Sequence, residues 1–229
     1  MRAIILAAGR GNRLRPITDL FPKPLLRLDG VSLLERQIMA LNKVGIDEIC
    51  INLHWLGEQI HAAFAQLPGI HWQWEPVLLD TGGSLALALP WLCENEPEFL
   101  LLNADIYHDF ALERLVQKPA SRLVLIPTAG HEDQPGDFGL LQHRVTPVGT
   151  DYIYGGMAKL HQDLFAGQVQ GNAASPAPLF ALLQPSIMAG KLGAVVHKGE
   201  WNDLGTLQRL AAFDDRLTDP QGLQLKTES

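Results

Sequence analysis

A chain of 229 residues, 47% hydrophobic and 19% charged, can form one large α/β domain, which excludes a disordered polymer. Its two cysteines, Cys50 and Cys93, sit in apolar runs and exclude a disulfide scaffold, and no apolar run approaches the roughly 20 residues of a membrane span. The net charge of −7 points away from nucleic acid, and Met1-Arg2 leads straight into a strand-like segment rather than a leader, so the expected setting is the cytoplasm.

In chain order, AIILAA (3–8) is an unbroken apolar run of strand length, as in a parallel sheet buried on both faces, and it stops at Gly9-Arg10-Gly11. Ser32 and Glu35 form a capping box ahead of Leu34, Ile38 and Leu41 at helical spacing, and Gly45 ends that helix. EICINLH (48–54) reads as a strand, 55–67 as a helix and IHWQWEP (70–76) as a strand. LLDTGG reads as a turn before SLALALPWL, a helix expected to stop near Pro90; EFLLLNAD (98–105) is another strand. Strands alternating with helices predict a Rossmann-like, mixed but mostly parallel sheet flanked by helices. Segments 123–128, 139–142, 152–160 and 193–199 suit strands, 178–190 a helix broken at Pro185, and 206–217 a closing amphipathic helix before a loose end. The expectation is one domain over 1–229, its second half, 111–229, decorating the sheet begun by 1–110.

The charge is uneven. Residues 1–27 hold Arg2, Arg10, Arg13, Arg15, Lys23 and Arg27 against Asp19, a balance of +5, while the remainder carries −12. A basic first segment on an acidic body predicts an anionic ligand held at one place rather than a nucleic-acid stripe. Glycines just after a strand let backbone N–H groups approach an anion. The third glycine of a dinucleotide fingerprint is missing, since Leu14 stands there, and no Gly-Lys-Ser/Thr run exists. Arg10, Arg13, Arg15 and a Lys23 fenced by Pro22 and Pro24 replace them. Asp105, after a strand, is a magnesium ligand or a turn former; Asp203, in WNDLG, is a second ligand or, like Thr206, a helix cap. Asp109 reads as a cap for a helix near 110–118. Asp80-Thr81-Gly82-Gly83 either lines a nucleobase pocket or forms a tight turn.

LAAGRGNRLRPIT with PKP, Asp105 and WNDLG together resemble the sugar-1-phosphate nucleotidylyltransferases over nearly the whole chain. The resemblance implies that Gly9 and Gly11 hold nucleotide phosphates, that Arg13 and Lys23 are catalytic, and that Asp105 and Asp203 hold Mg²⁺. It implies that Ala8, Thr81, Gly82 and Asn103 line base and ribose, and that Asp137, Gly139, Gly156 and Lys198 face the sugar. The implied substrates are small molecules: UTP with N-acetylmuramate-1-phosphate first, GTP with mannose-1-phosphate second. Neither nucleic acid nor membrane is an expected partner, and a monomer would suffice. Two departures stand out: HRVTPVGT lacks the lysine many relatives carry there, and Tyr154-Gly155-Gly156 replaces a Glu or Asn before Ala-Gly. The rival readings are a nucleotide-sensing module without turnover, an NAD-dependent oxidoreductase, and a cytidylyltransferase acting on an alditol or alkyl phosphate.

Overall fold

The computed structural model of the chain describes residues 1–167, 175–213, 216–218 and 221. The strands are β1 (Arg2–Leu6), β2 (Arg27–Leu28), β3 (Val31–Ser32), β4 (Ile49–Leu53), β5 (Ile70–Trp74), β6 (Glu98–Asn103), β7 (Tyr107–His108), β8 (Arg122–Pro127), β9 (Gly139–Leu141), β10 (Arg144–Thr146), β11 (Tyr152–His161), β12 (Gly193–Val196), β13 (Trp201–Asn202) and β14 (Leu217–Thr218). The helices are α1 (Ile17–Leu20), α2 (Leu33–Lys43), α3 (Gly57–Phe64), α4 (Asp80–Leu92), α5 (Glu113–Val116), α6 (Leu179–Met188) and α7 (Leu207–Ala211).

Nine strands form one sheet in the order β5-β4-β1-β6-β11-β8-β12-β10-β9. β5, β4, β1 and β6 are all parallel, whereas β11 runs antiparallel between β6 and β8. The period of two along β1 explains its unbroken apolar run. Ala3 and Ile5 join the core cluster on one face, with Leu34, Ile38 and Leu41 of α2, and Ile4 joins the cluster on the other face, with α4 and α6. Each Ile or Leu among them contributes roughly 1.5–3 kcal/mol on burial. The capping box of α2 is present as read, Ser32 accepting from the Glu35 N–H, and Gly45 follows the helix with φ +77°.

Several expectations are corrected. The Asp80–Gly83 turn is the first turn of α4, and α4 runs past Pro90 to Leu92. α6 likewise runs unbroken through Pro185. Both prolines are exposed, so water can satisfy the carbonyl that the missing N–H leaves unpaired. The closing helix is only Leu207–Ala211; residues 214–215 lie outside the described residues, and Leu217–Thr218 instead pairs with β2. Most of the segment expected to be loose, 218–229, also lies outside them. Asp109 caps nothing: α5 begins at Glu113, and the Asp109 carboxylate sits 2.8 Å from His197 Nε2.

Candidate active site

The carboxyl ends of β1 and β6 are neighbours, with Leu6 in register with Asn103. The Gly9 loop and Asp105 therefore emerge side by side, where open α/β sheets place their ligands. A cleft of about 320 Å³ opens there, lined in part by Ala8, Gly9, Gly11, Lys23, Thr81, Asn103 and Asp105. A Cβ at Gly9 would meet nothing within 4 Å, so the space beside it is open to the cleft. Gly11 is different: its φ is +61° and a Cβ would lie 2.8 Å from Thr18 Cγ2, so packing itself demands glycine. The Thr18 hydroxyl donates to the Gly11 carbonyl at 2.9 Å and fixes the loop.

Behind the loop is a buried polar chain that the sequence does not reveal. Asn52 accepts from the Ala7 N–H at 2.6 Å and donates to Glu75 at 2.9 Å, and Gln73 donates to the same Glu75 oxygen at 3.0 Å. Burial, reinforced by Glu75, pushes the Cys50 thiol up to about 12, so it is an inert core group. Thr81 lines the cleft, yet its hydroxyl also accepts from the Leu179 N–H. Gly82 is not among the lining residues: its N–H donates to the Ala177 carbonyl at 2.8 Å, and a Cβ would lie 2.7 Å from that oxygen. Its glycine serves the docking of 175–178 on α4.

A second cleft of about 310 Å³ shares Lys23, Asn103 and Asp105 with the first and adds Arg13, Asp137, Gly156, Trp201 and Asp203. Lys23, 5% exposed, donates to Asp105 Oδ2 at 2.7 Å and to the Asp203 main-chain carbonyl at 2.5 Å. Thr206, not Asp203, caps α7, which leaves the Asp203 carboxylate to the site. Its Oδ1 accepts from the Gly205 N–H at 3.0 Å and from Arg209 at 2.6 Å, and its Oδ2 lies 3.8 Å from Arg13. A Cβ at Gly205 would lie 2.8 Å from both Arg13 Nη2 and Asp203 Oδ2, so a side chain there would push these two charged groups aside.

Gly156, with φ +74°, sits where the β11–β8 register shifts, and this bulge opens β11 beside Asn103. Asp137 accepts from the Tyr154 N–H at 2.8 Å, and burial outweighs that bond to push its carboxyl above the usual range. Gly139 and Lys198 line neither cleft: Gly139 packs on the Val148 carbonyl, and Lys198 is exposed in the connection between β12 and β13.

Of the six cations in residues 1–27, only Arg13 and Lys23 line a cleft. Arg2 pairs with Glu48 and Glu94, Arg15 with Asp19, Arg27 donates to the Gly30 carbonyl, and Arg10 lies over the Trp55 ring. Asp105 and Asp203 each give one oxygen to protein donors and keep the other, a hard donor set suited to a divalent cation. Among the described residues no group of three or more His, Cys, Asp or Glu could hold a metal, so a cation here must complete its shell with phosphate and water.

Residues 3–181 match the MobA-like NTP transferase domain family. The chain is 34% identical to an N-acetylmuramate alpha-1-phosphate uridylyltransferase of Neisseria meningitidis serogroup B, over 92% of this chain and 95% of that protein. It is 34% identical to the mannose-1-phosphate guanylyltransferase catalytic subunit beta of Xenopus tropicalis, over 51% of this chain and 34% of that protein. Among solved structures it is similar to the CTP:phosphocholine cytidylyltransferase of Streptococcus pneumoniae, with TM-score 0.76, 22% identity and coverage of 93% of this chain and 97% of that one. It is also similar to HddC from Yersinia pseudotuberculosis complexed with GMP-PN, with TM-score 0.73, 19% identity and coverage of 93% and 97%.

Proposed function

This chain belongs to the MobA-like NTP transferase family and is a sugar-1-phosphate nucleotidyltransferase, and from that premise we propose that it moves the uridylyl group of UTP onto N-acetylmuramate-1-phosphate, releasing pyrophosphate. The observation that carries the assignment of roles is Lys23, a buried cation that lines both clefts at once. A charge there can touch the α-phosphate from one side and the incoming sugar phosphate from the other. The choice of UTP and N-acetylmuramate-1-phosphate is supported by the Neisseria relative, which matches nearly end to end, whereas the guanylyltransferase matches over half of the chain.

In this reading residues 1–110 receive the nucleotide and 111–229 the sugar, as one working unit. Gly9 and Gly11 offer backbone N–H groups to the triphosphate, and Ala8, Thr81 and Asn103 border the base and ribose. Arg13 faces charge that develops on the departing pyrophosphate. A sugar phosphate, with a second pKa of about 6, is already dianionic at neutral pH, so its oxygen attacks without a general base. That accounts for a site built of cations and N–H groups rather than of histidine or serine. The residues align two polyanions in line and hold positive charge where negative charge moves. Asp105 and Asp203 would hold Mg²⁺, which when bound offsets phosphate charge. Both clefts lie within one chain, so a monomer is sufficient, and a cytoplasmic small-molecule enzyme is the corresponding setting.

One observation favours a second reading. Among the described residues lining the sugar cleft, the only cations are Arg13 and Lys23, while Asp137 contributes a carboxylate. Such a lining would suit a neutral sugar such as mannose, with GTP as donor, better than a sugar carrying a lactyl carboxylate. Pyrophosphate release measured across four nucleoside triphosphates and a panel of sugar-1-phosphates decides between them. The highest kcat/KM for UTP with N-acetylmuramate-1-phosphate is expected. Preference for GTP with mannose-1-phosphate would install the second reading, and no release with any pair would overturn both.

A further inference from the structure

Arg209 is absent from every motif considered above, yet it joins the two parts of the sugar site. Its Nε donates to Asp133 Oδ2 at 2.7 Å and its Nη1 to Asp203 Oδ1 at 2.6 Å. Its side chain is only 12% exposed, and Thr206 fixes its backbone by capping α7 at the Arg209 N–H. Asp133 belongs to the loop that supplies Gln134, Pro135 and Asp137 to the sugar cleft. That loop has further anchors beside the site: the His131 ring lies edge-on to Trp201 with centroids 5.3 Å apart, and Asp137 accepts from the Tyr154 N–H at 2.8 Å while its own N–H donates to the Tyr152 carbonyl at 2.7 Å.

We propose that Arg209 is a positioning residue for the transfer reaction. Its fork holds Asp203 Oδ1 so that Oδ2 stays turned to the cation, and the same guanidinium holds the 131–137 loop against the sugar phosphate. This rests on the reading of Asp203 as a metal carboxylate. Exposed ion pairs contribute little, but a planar fork shared by two acids and largely shielded from water fixes direction as well as charge. Without it, Asp203 keeps the Gly205 N–H on Oδ1 and Arg13 at 3.8 Å from Oδ2, and its carboxylate is free to turn toward Arg13. A lysine at 209 can satisfy one acid only. It should keep Asp203, which is 22% exposed, over Asp133, which is 61% exposed and screened by water.

The test uses the full chain as wild type, R209A, R209K, D133A and the R209A/D133A double variant. Two quantities are measured: Mn²⁺ binding by electron paramagnetic resonance with saturating UTP, and kinetic constants for the best acceptor of the sugar-1-phosphate panel. R209A should weaken Mn²⁺ binding about tenfold or more, the usual effect of removing a group that orients a ligand, and should also raise acceptor KM. D133A and R209K should raise acceptor KM by a similar factor while leaving Mn²⁺ affinity within about twofold. The KM effects of D133A and R209A should not add in the double variant.

Unchanged Mn²⁺ affinity and KM in R209A, with only a lower Tm, would make the residue a structural clip and overturn the proposal. Additive KM effects, or R209K matching R209A in Mn²⁺ binding, would overturn it too. If R209A fails to fold, R209K and D133A still decide. Wild type that binds Mn²⁺ but rejects N-acetylmuramate-1-phosphate would fail the substrate reading alone. Wild type without Mn²⁺ binding would remove the metal role of Asp203 and this proposal with it.

Discussion

Lys23 holds a charge where water scarcely reaches. An unpaired buried cation costs several kcal/mol, and here Asp105 and the Asp203 carbonyl offset that cost. Substrate phosphates would take over these partners, so the cation is in place before the reaction begins. Lys23→Ala should lower kcat by roughly 10²-fold, the scale of losing one preorganised charge donor. Steady-state turnover with the preferred pair checks this, and wild-type turnover would remove Lys23 from the mechanism. Lys23 was legible because two prolines and a basic context flag it. Arg209 and Asn52 were not, because each has a partner distant in sequence: Asp133 lies 76 positions from Arg209, and Ala7 lies 45 from Asn52.

At the level of elements, β7 and β13 pair beside the second cleft, with Trp201, which lines it, opposite His108. His108 Nε2–H donates to Gln37 Oε1 at 3.0 Å, and its Nδ1 is buried with no partner among the described residues. Burial, aided by His197 and opposed by Asp109, lowers its pKa from 6.5 to about 4. Between those values the unfolded chain binds the proton and the folded chain does not. Stability is therefore full above pH 6.5 and falls as pH drops toward 4, by up to about 3 kcal/mol. His108→Gln should flatten the fall in Tm between pH 7 and pH 4.5; an unchanged slope would place the acid sensitivity elsewhere. Local signals served best for elements with local causes. The Ser32–Glu35 box set the start of α2, whereas Pro90 and Pro185 misled because their exposure, which makes them tolerable in a helix, is a tertiary fact.

For the molecule as a whole, the central strand β6 pairs with β1 on one side and with β11 on the other. Phe99, Leu100, Leu101 and Leu102 are all fully buried by that arrangement. A fragment of residues 1–110 keeps β1 but loses β11 and β8, and so exposes an apolar strand edge. We expect that fragment to aggregate and to give no cooperative thermal transition in near-ultraviolet circular dichroism, whereas the full chain melts cooperatively. A cooperative melt of the fragment would make residues 1–110 an independent folding unit.

The charge split at residue 27 also acquires a sharper meaning in three dimensions. Its +5 is not a single phosphate patch, because four of the six cations are engaged elsewhere and two meet acids of the −12 body inside the clefts. From the sequence alone came the alternation of strands and helices, the glycine loop, Lys23 and the two candidate metal acids, since all are written in neighbouring residues. That neither Asp109 nor Asp203 caps a helix, which glycines serve packing, and which cation steadies Asp203 were decided only by the tertiary structure. Those outcomes depend on long-range contacts, and a carboxylate or a glycine looks the same along the chain whatever it meets in the fold.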